Sequence, residues 1–128
     1  MEASLRKAHL FGTKLTGAHL KGADFTDAYL EKALLTKTES ARANFTRAKL
    51  MGADFTEANL SRANFTEANF TGAHPEAAAT LEGARMYRIV GLTKEQLEVC
   101  KAKGAIIDNV PTANSPQPSV LPPPPSQG

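Results

Sequence analysis

ANFTRAKLMGADFTEANLSRANFTEANFTG, residues 43–72, is six consecutive blocks of five residues. Each block opens on Ala and carries Leu or Phe at its third place. Traced upstream, the same division runs without a gap to Ala3, so residues 3–72 form fourteen blocks. Thr13 and Thr38 stand where the others have Ala, and Ser40 is the one third-place residue that is neither Leu nor Phe. A period of five suits neither regular element. A helix of 3.6 residues per turn would smear it around the whole surface, and a flat strand would send alternate Leu residues to opposite faces. The chain must turn a corner in every block, so that each small and each large residue points inward.

A slower beat lies over the first. ASLR at 3–6, ADFT at 23–26, ANFT at 43–46 and ANFT at 63–66 are twenty residues apart, although a further ADFT at 53–56 falls off this spacing. Four blocks per turn give a square coil that returns above itself, and each coil needs a neighbour to bury its apolar face. This is the arithmetic of an all-β solenoid. The repeated A(D/N)(L/F)xx blocks resemble the pentapeptide-repeat family, directly over 3–72 and less regularly over 73–110. The resemblance implies a right-handed quadrilateral β-helix.

The length suits one domain. Trp is absent and aromatics are 6%, so the core is a thin internal column and not a broad aromatic one. Cys100 is the single cysteine, which excludes an internal disulfide and fits a reducing compartment. MEASLRKAHL has no apolar segment of signal-peptide type, and no run approaches the roughly 18 apolar residues that span a bilayer. The expected location is the cytoplasm, with no membrane partner.

Residues 1–110 read as the repeat domain and 111–128 as a disordered Pro-rich tail with polyproline II character. Pro75 occupies a central Leu place. Beyond it, Ala79–Leu81 and Ala84–Met86 restore small-x-large triplets one residue out of register, which predicts a one-residue insertion at a corner near Pro75. A short Ala-rich helix over 75–82 is the alternative. Thr93 and Gln96 make a capping box, with Leu92 and Leu97 placed for a hydrophobic staple, and Gly104 is a natural stop. These signals predict a helix over 94–103 that covers the last coil. GLTKEQL followed by GAIID resembles the helical cap and closing strand found after pentapeptide repeats. Only Met1 and Glu2 precede the first block, so the first coil is expected to be uncapped and shared in a two-fold homodimer, or else to be the cut edge of a longer protein.

Four blocks per coil let outward residues be read as vertical columns. Thr26, Thr46 and Thr66 form one, and Thr16, Thr36 and Thr56 another, expected to exchange hydrogen bonds between coils. Lys7, Asp27, Arg47 and Glu67 alternate in sign along a third. Ser40 falls between Leu20 and Leu60 on an inward column and needs a polar partner. Phe11, Tyr29, Leu34 and Met51 take outward places and make a candidate interaction patch; scattered exposed apolar residues would give the same pattern. Lys21, Arg42 and Arg62 make a weakly basic face, which an ordinary solvated wall also explains.

Several functions find little support in these residues. Some pentapeptide-repeat proteins mimic DNA and bind topoisomerases, which takes about one negative charge per 1.7 Å, or nearly three per coil. Residues 3–72 hold seven acids and ten bases, interleaved, for a net charge of +3. The overall charge of +2, without a basic stripe carrying aromatics, argues against a nucleic-acid partner. His9, His19 and His74 fall on different walls, so no metal site or catalytic group is expected, and Cys100 has no neighbouring activator in sequence. The glycines recur as corner residues and form no phosphate-binding loop, so no cofactor is expected. What remains is a rigid, non-catalytic interaction module for a protein partner, or an adaptor acting through QPSVLPPPPSQ of the tail.

Overall fold

The computed structural model describes residues 3–108. Parallel bridges join Ser4 to Asp24, His9 to Tyr29, Lys14 to Leu34 and His19 to Glu39, and these columns continue at the same offset of twenty as far as Asn69. One coil therefore carries four bridged places, one per wall. The hydrogen bonds repeat with the coil. The second residue of a block donates its N–H to the coil before it (Asp24 to the Ala3 carbonyl, 2.9 Å), and the third donates to the coil after it (Leu5 to Asp24, 2.7 Å).

Each wall ends in a tight turn. The N–H opening the next block donates to the third-place carbonyl, as Ala28 does to Phe25 at 2.9 Å. The fifth residue of all fourteen blocks has a left-handed backbone, with φ between 55° at Arg47 and 74° at Gly72. Glycine takes this conformation freely, and other residues do so at a cost. Five of the fourteen corners are Gly and nine are charged residues such as Lys32, Arg42 and Glu57.

The interior is a column of stacked Ala, Leu and Phe. Phe25, Phe45 and Phe65 lie on one wall with ring centroids 4.9 Å apart in each step and planes within 7° of parallel. That spacing is the rise between stacked strands. Phe55 meets Phe45 and Phe65 edge-on from the opposite wall. Ser40 is fully buried, and its hydroxyl donates to the equally buried Thr38 hydroxyl at 2.9 Å.

The coil breaks at Pro75 as the register predicted, though with a different inward residue. Pro75–Ala77 is a single 3-10 turn and not a helix reaching residue 82. The bridge offset rises from twenty to twenty-one at Thr80, which pairs with Asn59, and Arg85 and Val90 keep it. Ala78 is buried and Ala79 is exposed, so Ala78 is the inward small residue and Ala79 the insertion. This corrects the Ala79–Leu81 triplet. Ala84 and Met86 are both buried.

The last coil ends on strand β1 (Arg85–Met86), helix α1 (Lys94–Ala102) and strand β2 (Ile106–Ile107), with β2 parallel to β1. Thr93 and Gln96 form the reciprocal capping box. Gln96 also donates to the Ala73 carbonyl at 3.0 Å, and Lys103 Nζ donates to the Glu76 and Ala78 carbonyls at 2.7 and 2.8 Å. The helix thus satisfies acceptors that the irregular turn has turned away from the ladder. The Pro-rich tail, residues 111–128, lies outside the described residues.

Candidate functional site

The outward second place of every block explains the repeat's Asp and Asn. Asp24, Asn44, Asp54, Asn59, Asn64 and Asn69 each accept from the backbone N–H and the side-chain hydroxyl two residues on, at Thr26, Thr46, Thr56, Ser61, Thr66 and Thr71. These local bonds pin each corner from outside. The threonine columns therefore do not bond threonine to threonine as expected; the hydroxyls of Thr26, Thr46, Thr56 and Thr66 donate within their own blocks. Accepting from Thr26 holds the Asp24 carboxyl below its usual range, and Thr56 does the same for Asp54.

The alternating charges stack as the columns foretold. Arg47 lies 2.9 Å from Asp27 and 3.8 Å from Glu67, and Arg88 adds a further step at 3.4 Å from Glu67. These pairs are solvent-exposed and contribute little individually. Arg42 and Arg62 occupy the same corner in successive coils, both exposed, while Lys21 sits one place earlier in its block.

Of the four patch residues, three gather on one corner. His9, Tyr29 and Lys49 are successive members of one outward column. The Tyr29 ring lies 4.9 Å from the His9 ring, and Lys49 Nζ sits 4.7 Å from its centroid. Phe11, Glu31 and Met51 occupy the adjoining turn, with Lys32 Nζ 6.0 Å from the Phe11 ring. Phe11 is 67% exposed and Tyr29 36%. Leu34 is half-buried on the next wall, bridged between Lys14 and Asp54. The cations over the two rings went unread in the sequence, although Lys49 shares the twenty-residue offset with Tyr29.

Other titratable groups do not converge. His9, His19 and His74 are on three different walls. Among the described residues no group of three His, Cys, Asp or Glu side chains is placed to hold a metal ion. Cys100 lies on the buried face of α1, where desolvation, aided by Glu76, pushes its thiol up to about 12. A shallow cleft of about 410 Å³ opens at the coil break between Asp54, His74 and Glu76, with His74 Nδ1 3.1 Å from Glu76.

Stacked five-residue blocks with a cornered backbone define a repeat solenoid, and comparison places it. The pentapeptide-repeat family model matches residues 3–39 and 41–74 in eight copies. The chain belongs to the pentapeptide-repeat family. A pentapeptide repeat protein of the Arabidopsis thaliana thylakoid lumen is similar at 27% identity and a TM-score of 0.68, over 88% of this chain and 79% of that one. HetL, involved in heterocyst differentiation regulation in the cyanobacterium Nostoc, is similar at 33% identity and a TM-score of 0.56, over 69% of this chain but 39% of its own length. QnrB1, a plasmid-mediated fluoroquinolone resistance protein, shares the fold at 18% identity and a TM-score of 0.55, over 83% and 58%. No curated protein sequence matches the chain. These neighbours imply a right-handed quadrilateral β-helix. No helix among the described residues is long and apolar enough to cross a membrane.

Proposed function

We propose that the chain is a rigid, non-catalytic module that binds a protein partner through the corner formed by His9, Phe11, Tyr29, Lys49 and Met51, and that it works in the cytoplasm. The carrying observation is the Tyr29 ring held between the His9 ring and the Lys49 ammonium. Aromatic side chains dominate binding energy at protein interfaces, and a ring already fixed on a stiff wall loses little freedom on docking. A regulatory role of the HetL kind is compatible with such a module. The test is capture by the immobilised chain, set against a Phe11→Ser, Tyr29→Ser variant of unchanged circular dichroism. The partner should be lost with the variant; capture indifferent to both substitutions overturns the corner as the site.

Two other readings are weaker. A topoisomerase-directed DNA mimic would share the fold of QnrB1, but a repeat region of net charge +3 supplies the wrong field; gyrase supercoiling should be unaffected by the protein. An adaptor acting through the tail predicts loss of capture when residues 111–128 are deleted, whereas the corner predicts no change.

A further inference from the structure

We infer that the corner carrying Arg42 and Arg62 binds a phosphorylated side chain of a partner polypeptide, independently of the Tyr29 corner. The fifth residues here run Gly22, Arg42, Arg62 and Gly83 through successive coils, with φ of 71°, 61°, 59° and 72°. Glycine on either side shows that the turn itself needs no side chain, and arginine holds the left-handed backbone at a cost. Both arginines lie inside the stack: the Arg42 N–H donates to the Ser61 carbonyl and the Arg62 N–H to the Glu82 carbonyl, each at 2.8 Å. Charged residues at other corners pair, Arg47 with Asp27 and Glu67, Arg88 with Glu67, and Lys37 with Glu57. Arg42 and Arg62 are exposed and have no ion pair among the described residues. The acids of neighbouring places turn elsewhere: Glu39 accepts from Asn59 at 3.4 Å, and the Glu82 carboxylate lies against Gly104.

The two arginine backbones are one strand spacing, about 4.8 Å, apart. Like charges that close favour a ligand bringing more than one negative charge between them. A phosphate monoester carries about −1.5 to −2 and three acceptor oxygens, enough for both guanidinium forks. A carboxylate supplies one charge and answers one fork. A nucleic acid spreads single charges along a backbone and calls for a longer run of cations. A free phosphorylated metabolite needs a concave pocket, and the outer corner of a square coil is convex. A lipid surface calls for apolar residues beside the cations, whereas the flanking places hold Ala41, Ser61, Asn44 and Asn64. A polypeptide suits these places. Ala41 and Ser61 are small and leave room for its chain. The side-chain oxygens of Asn44 and Asn64 are occupied by Thr46 and Thr66, so each offers its amide N–H to a backbone carbonyl.

The probe is a short Gly–Ala peptide with one central phosphoserine, titrated into the isotope-labelled full chain and followed by NMR of the Arg Nε–H and Asn side-chain amide groups. Peptides with serine or glutamate at the same place are the controls. The phosphopeptide should shift Arg42, Arg62, Asn44 and Asn64 and leave Arg47 unmoved, with the serine peptide silent and the glutamate peptide weaker by about tenfold or more. Arg42→Gly with Arg62→Gly keeps a residue that this corner already carries at Gly22 and Gly83, and should abolish the shifts at Asn44 and Asn64 with circular dichroism unchanged. Arg42→Lys with Arg62→Lys keeps the charge but not the forks, and should weaken binding by about tenfold. Tyr29→Ser should leave binding as it is, so that failure here and failure of the Tyr29 corner are told apart. No shift at millimolar phosphopeptide, equal binding of the serine or glutamate peptide, equal shifts at Arg47, or full binding by either double variant overturns the inference. So does equal perturbation of Arg42 and Arg62 by inorganic phosphate, by oligothymidylate or by vesicles containing phosphatidic acid.

Discussion

The Ser40 hydroxyl donates to the Thr38 hydroxyl at 2.9 Å, and Thr38 in turn donates to the Leu35 carbonyl at 2.9 Å, with both side chains fully buried. Two departures from the repeat therefore sit in one block and satisfy each other. Thr38→Ala leaves the Ser40 hydroxyl buried without its acceptor and should cost about 1–3 kcal/mol. Thr38→Ala with Ser40→Leu restores the apolar column between Leu20 and Leu60 and should be at least as stable as the wild type. Urea unfolding of the two single variants and the double decides this; additive losses would show that the pair is not coupled.

The cap is held by polar contacts to the irregular turn. Lys103→Met removes two bonds from a charged donor to the Glu76 and Ala78 carbonyls, and should destabilise by about 2–4 kcal/mol. Cys100 reports on it directly. Buried, and with its thiol pushed up to about 12, it should resist a thiol reagent at pH 8 in the wild type and label many-fold faster once Lys103 is gone.

The left-handed corners give a prediction of opposite sign at two kinds of residue. Arg42 has φ 61° and no ion pair among the described residues, so Arg42→Gly should relieve strain and stabilise by up to about 1 kcal/mol after the extra unfolded-state entropy of glycine. Gly12→Val forces a β-branched residue to φ 66° and should destabilise by about 1–2 kcal/mol. Thermal unfolding of both is the check.

Much of this architecture could be read from the chain because the inward marks recur at a period no helix or flat strand can hold. Ser40 announced its need for a partner, and Thr93 with Gln96 announced the helix start. The chemistry of the outward Asp and Asn was hidden. Nothing in the spacing of Thr26, Thr46 and Thr66 says whether each hydroxyl bonds up the column or back to its own block, and the shorter local path won. Ala78 and Ala79 are adjacent and identical, so sequence could not say which one turns inward. The corner's Phe11, Tyr29 and Met51 were legible as outward apolar residues, but the His9 and Lys49 contacts to Tyr29 depend on side-chain placement.

The same local bonds set an acid limit. Asp24 and Asp54 are held below the usual 3.8 chiefly by the hydroxyls of Thr26 and Thr56, and Asp27 by Arg47. A carboxyl more acidic in the folded chain than in the unfolded one stabilises the fold above the unfolded value, and that contribution is lost as pH falls through the lowered one. Stability should therefore be flat above about pH 5 and decline below it. Asn already fills this place at residues 44, 59, 64 and 69, so Asp24→Asn with Asp54→Asn should keep the fold and flatten the acid decline. Denaturant midpoints between pH 7 and pH 3 measure it.

The most direct measurement is a set of ring-to-ring and ring-to-methyl nuclear Overhauser contacts with only Phe and Leu labelled. The stacked tube predicts an unbroken series from Phe25 through Phe45 to Phe65 at the 4.9 Å spacing, and another joining Leu30, Leu50 and Phe70. Rings and methyls that show contacts only within their own block, and none to the residue twenty places on, would contradict the tube and every wall assignment drawn from it.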